Sequence, residues 1–372
     1  MKRGFSIIHS TRLATCVLLL ARALAQAATP PERPQTILSN ATVRAVFDLA
    51  GGSLSEFRPH RSPVNPLAWN LPRDEKPQPI GHFLCLDRWG PPSEEEGRRG
   101  MPYHGEASTV LWTVESSRQD AGLLEAKMFA QLPLAGFRVE RTARLSPDGA
   151  VLFVRETVRN ENRLGRMYNM VQHPTVAGEF LDESTLVDCN GRRGFAQGGA
   201  LPNPEEPSSY WPVGLNRDGK PEDLRRLQGD PNPNVVSFVL DGEWGWVTAC
   251  HPKRGMLLGY LWRSRDYPWV SLWRDARDGK PAARGLEFGT TGLHQPFPVL
   301  AQKPRIWERP TFAYLDAGAS AERSYAVFLA DIPADFQGVE NVVWNHERLD
   351  IVERTSASPR TLTLNLKGGG YF

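Results

Sequence analysis

Apolar and polar residues alternate at every second position along much of this chain, and glycine or proline turns cut the pattern repeatedly, which limits the possible folds more than any other feature. It is clearest where segments 137–145 and 151–158 flank Ser146-Pro147-Asp148-Gly149. Period two sends successive side chains to opposite faces of a strand, and proline, aspartate and glycine supply the backbone angles of a tight reversal, so the segment reads as a hairpin. A second hairpin opens the chain: Val43, Ala45 and Phe47 alternate with Arg44 and Asp48 before Gly51-Gly52, and Leu54 and Phe57 resume beyond it. Further strand candidates cover 108–114, 123–131, 234–240, 245–249, 256–262, 311–315 and 323–329. Helical periodicity is nearly absent, apart from a short stretch around 223–227. The 33 glycines and 31 prolines among 372 residues follow no repeat, which favours many turns between short strands and an all-β chain.

The N-terminus reads as an export signal. Lys2 and Arg3 precede an apolar run over 13–21 and the small-x-small site Ala23-Leu24-Ala25, so residues 1–25 are expected to be removed and the mature protein to be periplasmic or secreted. The run is too short to span a bilayer and Arg22 closes it, so no stable membrane insertion is expected. Cys16 follows Leu13-Ala14-Thr15, a poor lipidation site. Cleavage takes away Lys2, Arg3, Arg12 and Arg22 and turns a net charge of +2 into −2, leaving no basic face for nucleic acid. Cys85, Cys189 and Cys250 remain, enough for one disulfide at most or for three buried thiols. The polar stretches 71–79, 91–100 and 201–233 read as long loops within one domain over 36–335, and 336–372 as a C-terminal extension or flexible tail ending in Lys367-Gly368-Gly369-Gly370.

Three side chains distant in sequence suggest acid–base chemistry: His104 in Tyr103-His104-Gly105-Glu106, His173 in Val171-Gln172-His173-Pro174, and Glu287 in Gly285-Leu286-Glu287-Phe288-Gly289. A carboxylate that takes a proton from one oxygen while an imidazole gives one to another requires no cofactor and no metal, and none is expected. Each residue also has a bland alternative. His173 could end a strand against a backbone carbonyl, His104 could sit in a surface turn, and Glu287 could be an exposed strand carboxylate. His251 and His294 are expected to be structural. Trp211, Trp262, Trp269 and Trp273 cluster in the second half. Most should fill the core, while Trp262, Trp269 and Trp273 are candidates for stacking on a pyranose. The acidic run Glu94-Glu95-Glu96 reads as a solvated loop. His104-Gly105-Glu106 matches the start of a zinc-deaminase signature, but no Pro-Cys-x-x-Cys follows. No GxSxG elbow, Walker loop or dinucleotide fingerprint is present.

Over roughly 38–332 these residues resemble the galactose mutarotase-like, or aldose 1-epimerase-like, proteins. The resemblance lies in the paired glycine of Gly51-Gly52-Ser53-Leu54, in His104-Gly105, in His173, in Glu287 before His294-Gln295-Pro296, and in Leu315-Asp316-Ala317-Gly318 leading to a closing strand. It implies a large antiparallel β-sandwich, the mutarotase-like supersandwich, with a sugar held on a concave sheet, and export adds an oligosaccharide as an alternative substrate. It also implies roles: Glu287 as the base at the anomeric hydroxyl, His173 as the acid at the ring oxygen, His104 as the group that helps hold that oxygen, and Arg88 as a binder of sugar hydroxyls. Two positions depart from the family pattern, Glu106 where a second glycine is common and Gln172 where asparagine is common, and they leave the substrate open. Aldose 1-epimerase activity is the leading expectation. A carbohydrate-binding protein without turnover, or a polysaccharide lyase or hydrolase on the same fold, are the alternatives.

Overall fold

The two hairpins marked by turn chemistry form as antiparallel pairs in the computed structural model, Phe137–Leu145 with Val151–Asn160 and Val43–Asp48 with Ser53–Pro59. The structure describes residues 33–70, 77–120, 122–197, 209–354 and 358–366. The expected export signal and the glycine-rich end at 367–372 lie outside the described residues, as do 71–76 and 201–208 of the expected loops.

Two large antiparallel sheets face each other. One runs, in spatial order, through Leu186–Cys189, Trp244–His251, Met256–Arg263, Ser320–Asp331, Val151–Asn160, Phe137–Leu145, Leu123–Leu132 and Thr113–Asp120. The other is centred on His82–Asp87, Arg166–Ala177, Lys280–Gly289 and Trp269–Arg277. Ser53–Pro59, Val43–Asp48 and Gln35–Ser39 flank that centre on one side, and Val235–Val239, Arg193–Ala196 and three short strands on the other. Phe47, Leu84, Met170 and Phe288 of this sheet meet Met128, Val139, Val154 and Tyr260 of the first in one continuous core. Each such side chain removed from water contributes about 1.5–3 kcal/mol.

The central strands are covered on both faces, and so lack the alternation of the outer ones. His82–Asp87 is buried at every position. Leu84 and Leu86 enter the inter-sheet core, while Phe83 and Cys85 join Trp89 and Val171 in a separate cluster on the opposite face. That opposite face carries the site described below.

Several expectations change. Residues 223–227 form no helix: Pro221–Asp223 is a strand and a turn follows it. The described α-helices are Glu94–Arg98, started by a capping box between Ser93 and Glu96, and Phe297–Gln302. Glu94-Glu95-Glu96 is therefore the first turn of a helix. The C-terminal stretch contains a three-stranded sheet of Val339–Asn345, Arg348–Glu353 and Thr361–Asn365. Its Val342, Leu349 and Ile351 cover Phe153, Trp246 and Leu257 on the outer face of the first sheet, so burial fixes this segment. Cys85, Cys189 and Cys250 are free buried thiols. No helix among the described residues is long and apolar enough to cross a membrane.

Candidate active site

Strand register brings the distant residues together. Arg166–Ala177 pairs with His82–Asp87 so that His173 faces Phe83, and with Lys280–Gly289 so that Gly285 lies opposite Thr175 and Phe288 opposite Gln172. That register sets Glu287 across from His173 on the same face of the sheet. Their side chains meet, with His173 Nε2 3.3 Å from Glu287 Oε1. Phe83 stacks on the His173 ring at 4.2 Å between centroids and fixes its plane. A Cβ at Gly285 would lie 2.9 Å from Glu287 Oε1 and 2.9 Å from Trp273 Cβ, so the glycine keeps room beside the carboxylate.

The segment after His82–Asp87 supplies further contacts. Trp89 donates its indole N–H to Glu287 Oε2 at 2.6 Å. The Gly90 amide donates to His104 Nδ1 at 3.1 Å, and the His104 amide donates back to the Gly90 carbonyl at 3.0 Å. An Nδ1 that accepts leaves the proton of neutral His104 on Nε2, as a donor. His104 holds a left-handed backbone, φ 68°, and Gly105 follows at φ 78°. A Cβ at Gly105 would lie 1.9 Å from the Leu86 carbonyl oxygen, so only glycine lets this loop lie against the strand and deliver His104. His294, expected to be structural, also reaches the site and meets Tyr103 Oη at 3.0 Å.

Burial sets the electrostatics. It pushes the Glu287 carboxyl up to about 8, with the Trp89 hydrogen bond pulling the other way. It pushes His173 down to about 3, His294 down to about 4, and His104 well below the ordinary imidazole range. His173 Nδ1 contacts Thr175 Oγ1 at 3.0 Å, so its Nε2 is turned to Glu287. At neutral pH the pair therefore carries one exchangeable proton between a carboxyl and an imidazole. Such a pair holds an acid and a base side by side.

A cavity of about 960 Å³ opens over this pair, and His104, His173, Glu287 and Trp273 all line it. Three other expected contacts lie elsewhere. Arg88 is buried against Asp87 at 2.5 Å and Glu96 at 2.7 Å, since a guanidinium without water requires carboxylate partners, and it anchors the Trp89 segment instead of meeting the cavity. Trp262 faces the inter-sheet core, stacked on Phe288 at 4.0 Å. Trp269 is on the site face but is covered by Phe297, Leu300 and Trp307. The two departures from the family pattern also turn away. Gln172 reaches into the inter-sheet core to Glu156 and Tyr267, and Glu106 accepts the Leu134 and Ala135 amides. Neither lines the cavity, so neither reads a hydroxyl there.

Sequence reasoning missed Trp69, Phe83, Trp89, Tyr103 and His294, all of them lining residues. Trp89 was one position from the residue singled out. Trp69 gave no pattern signal because it lies in a turn-rich connection between strands. Among the described residues no group of three or more His, Cys, Asp or Glu is placed to hold a metal ion.

No protein-family model and no curated protein sequence matches the chain. Solved structures do. A galactose mutarotase-like protein from Clostridium acetobutylicum superposes with a TM-score of 0.60 at 14% identity, covering 81% of this chain and 96% of that one. A galactose mutarotase related enzyme from Lactobacillus acidophilus gives 0.56 at 12% identity over 81% and 98%. A candidate aldose 1-epimerase from Escherichia coli K12 gives 0.56 at 14% identity over 81% and 100%. With its two facing antiparallel sheets and these structural relatives, the chain has the galactose mutarotase-like fold.

Proposed function

We propose that the protein is an exported aldose 1-epimerase-like isomerase that interconverts the anomers of a sugar bound in the cavity. The observation that carries this reading is the 3.3 Å contact between Glu287 and His173, buried together under the cavity. In a cyclic aldose the anomeric hydroxyl and the ring oxygen are bonded to the same carbon, so two groups in mutual contact can reach both. The shared proton first passes from Glu287 to His173 across their 3.3 Å contact, and Glu287 then removes the proton from the hydroxyl as His173 delivers its own to the ring oxygen. The carbon–oxygen ring bond breaks, an aldehyde forms, and rotation followed by reclosure gives either anomer while the protons return. Neutral His104 donates from Nε2 to steady the ring oxygen. Positioned acid–base groups of this kind supply roughly 10²- to 10⁴-fold in rate.

The two departures from the family pattern, Glu106 and Gln172, turn away from the cavity and leave its lining unchanged. Export rests on Lys2, Arg3, the apolar run over 13–21 and Ala23-Leu24-Ala25. The N-terminal sequence of the protein recovered outside the cytoplasm should begin at Gln26. Polarimetry on freshly dissolved glucose, galactose and xylose tests the activity. At least one sugar should mutarotate faster with the protein, and Glu287→Gln should abolish the gain. Heat of sugar binding without any rate effect would establish a binder instead.

A further inference from the structure

The cavity is larger than one sugar ring requires. At about 30 Å³ per water its 960 Å³ holds roughly thirty waters, whereas a single pyranose displaces only a fraction of them. The excess space has its own recognition surface. From His173 the stacked Phe83 leads to Trp69 at 5.8 Å, Trp69 meets Trp273 edge to face at 6.1 Å, and Trp273 returns to His173 at 6.0 Å. Trp69 and Trp273 are only half-buried, unlike the core tryptophans, so their apolar surface faces the cavity. Two amides are fixed by backbone groups on another wall. Asn216 Oδ1 accepts the Asp218 and Lys220 amides, which directs its NH₂ outward as a donor, and Asn234 Nδ2 donates to the Arg274 carbonyl, which leaves its oxygen as an acceptor. Aromatic faces together with oriented amides suit the apolar faces and hydroxyls of pyranose rings.

We infer that the substrate is an oligosaccharide, whose reducing-end ring sits on Glu287 and His173 while its next ring stacks on the Trp69–Trp273 wall. The inference rests on the isomerase reading for its first ring only. Anomeric exchange can be followed at equilibrium by NMR saturation transfer, comparing glucose with cellobiose and maltose, and xylose with xylobiose, each at the same sub-saturating concentration. One disaccharide at least should exchange roughly tenfold faster than its own monosaccharide, the gain expected of one stacked ring. In Trp69→Ala that ratio should fall towards one, and Asn216→Ala, on an exposed hairpin, should lower it less. Monosaccharides exchanging as fast as every disaccharide, or a ratio that survives in both variants, would overturn the second subsite. No exchange with any sugar would defeat the isomerase reading instead. Calorimetry then decides the subsite alone: tenfold tighter disaccharide binding supports it, and equal affinities reject it.

Discussion

The two faces of the central strands bury ionisable groups in opposite ways. On the inter-sheet face Arg141 pairs with Glu156 at 2.7 Å, Gln172 donates to the same carboxylate, and His82 meets the Gln172 amide at 3.1 Å. Every charge there has a counter-charge or a hydrogen bond. On the cavity face, where His173 follows Gln172, Glu287 of the neighbouring strand has an indole and an imidazole but no cation. Compensated charge on the first face fixes structure, and a carboxyl without a counter-charge on the second keeps its proton available. Adjacent positions Gln172 and His173 thus serve different ends because a strand sends them to opposite sides.

The contrast can be broken from either side. Glu156→Ala should cost the most, about 3–5 kcal/mol in denaturant unfolding, because it leaves Arg141 buried without its partner. Glu287→Gln should have the opposite effect on stability in alkali. The Glu287 carboxyl titrates near 8 in the folded chain against 4.5 ordinarily, so the folded state holds a proton that the unfolded chain releases between those values. That stabilisation is complete below about 4.5 and lost as pH rises through about 8, on the order of 4–5 kcal/mol in wild type. Unfolding measured at pH 5 and pH 9 should show this loss in wild type and not in Glu287→Gln. Trp89→Phe should act least on stability and most on titration. Without the indole donor the ionised carboxyl loses support, so the alkaline flank of the rate profile should move up by about one pH unit.

Much of the fold was legible because outer strands have one wet face. Phe137–Leu145 alternates buried and half-exposed or exposed positions, and both of its bounds were read from sequence. His82–Asp87 was missed because core on one side and site on the other remove any alternation. The strands of Val339–Asn345 and Arg348–Glu353 read as an extension because only one face of a small sheet is covered there. At the site, resemblance pointed to His104, His173 and Glu287, but nothing local distinguishes Trp273 from Trp269. Which of two tryptophans on one strand meets the cavity depends on Trp307 and Leu300, which lie later in the chain. Arg88 carried a plausible chemistry and the wrong partners, since Asp87 and Glu96 already occupy it.

The central claim is that Glu287 and His173 hold one proton between them and exchange it with the anomeric centre. The pH dependence of kcat/KM for sugar anomerisation by the intact protein tests it most directly. A pair that works with one proton gives a rate that is flat through neutrality and falls as Glu287 loses its proton above about 8, with the acid flank far below ordinary histidine titration because His173 gains its second proton only near 3. A rate that climbs through pH 8, or no acceleration at any pH, would contradict it.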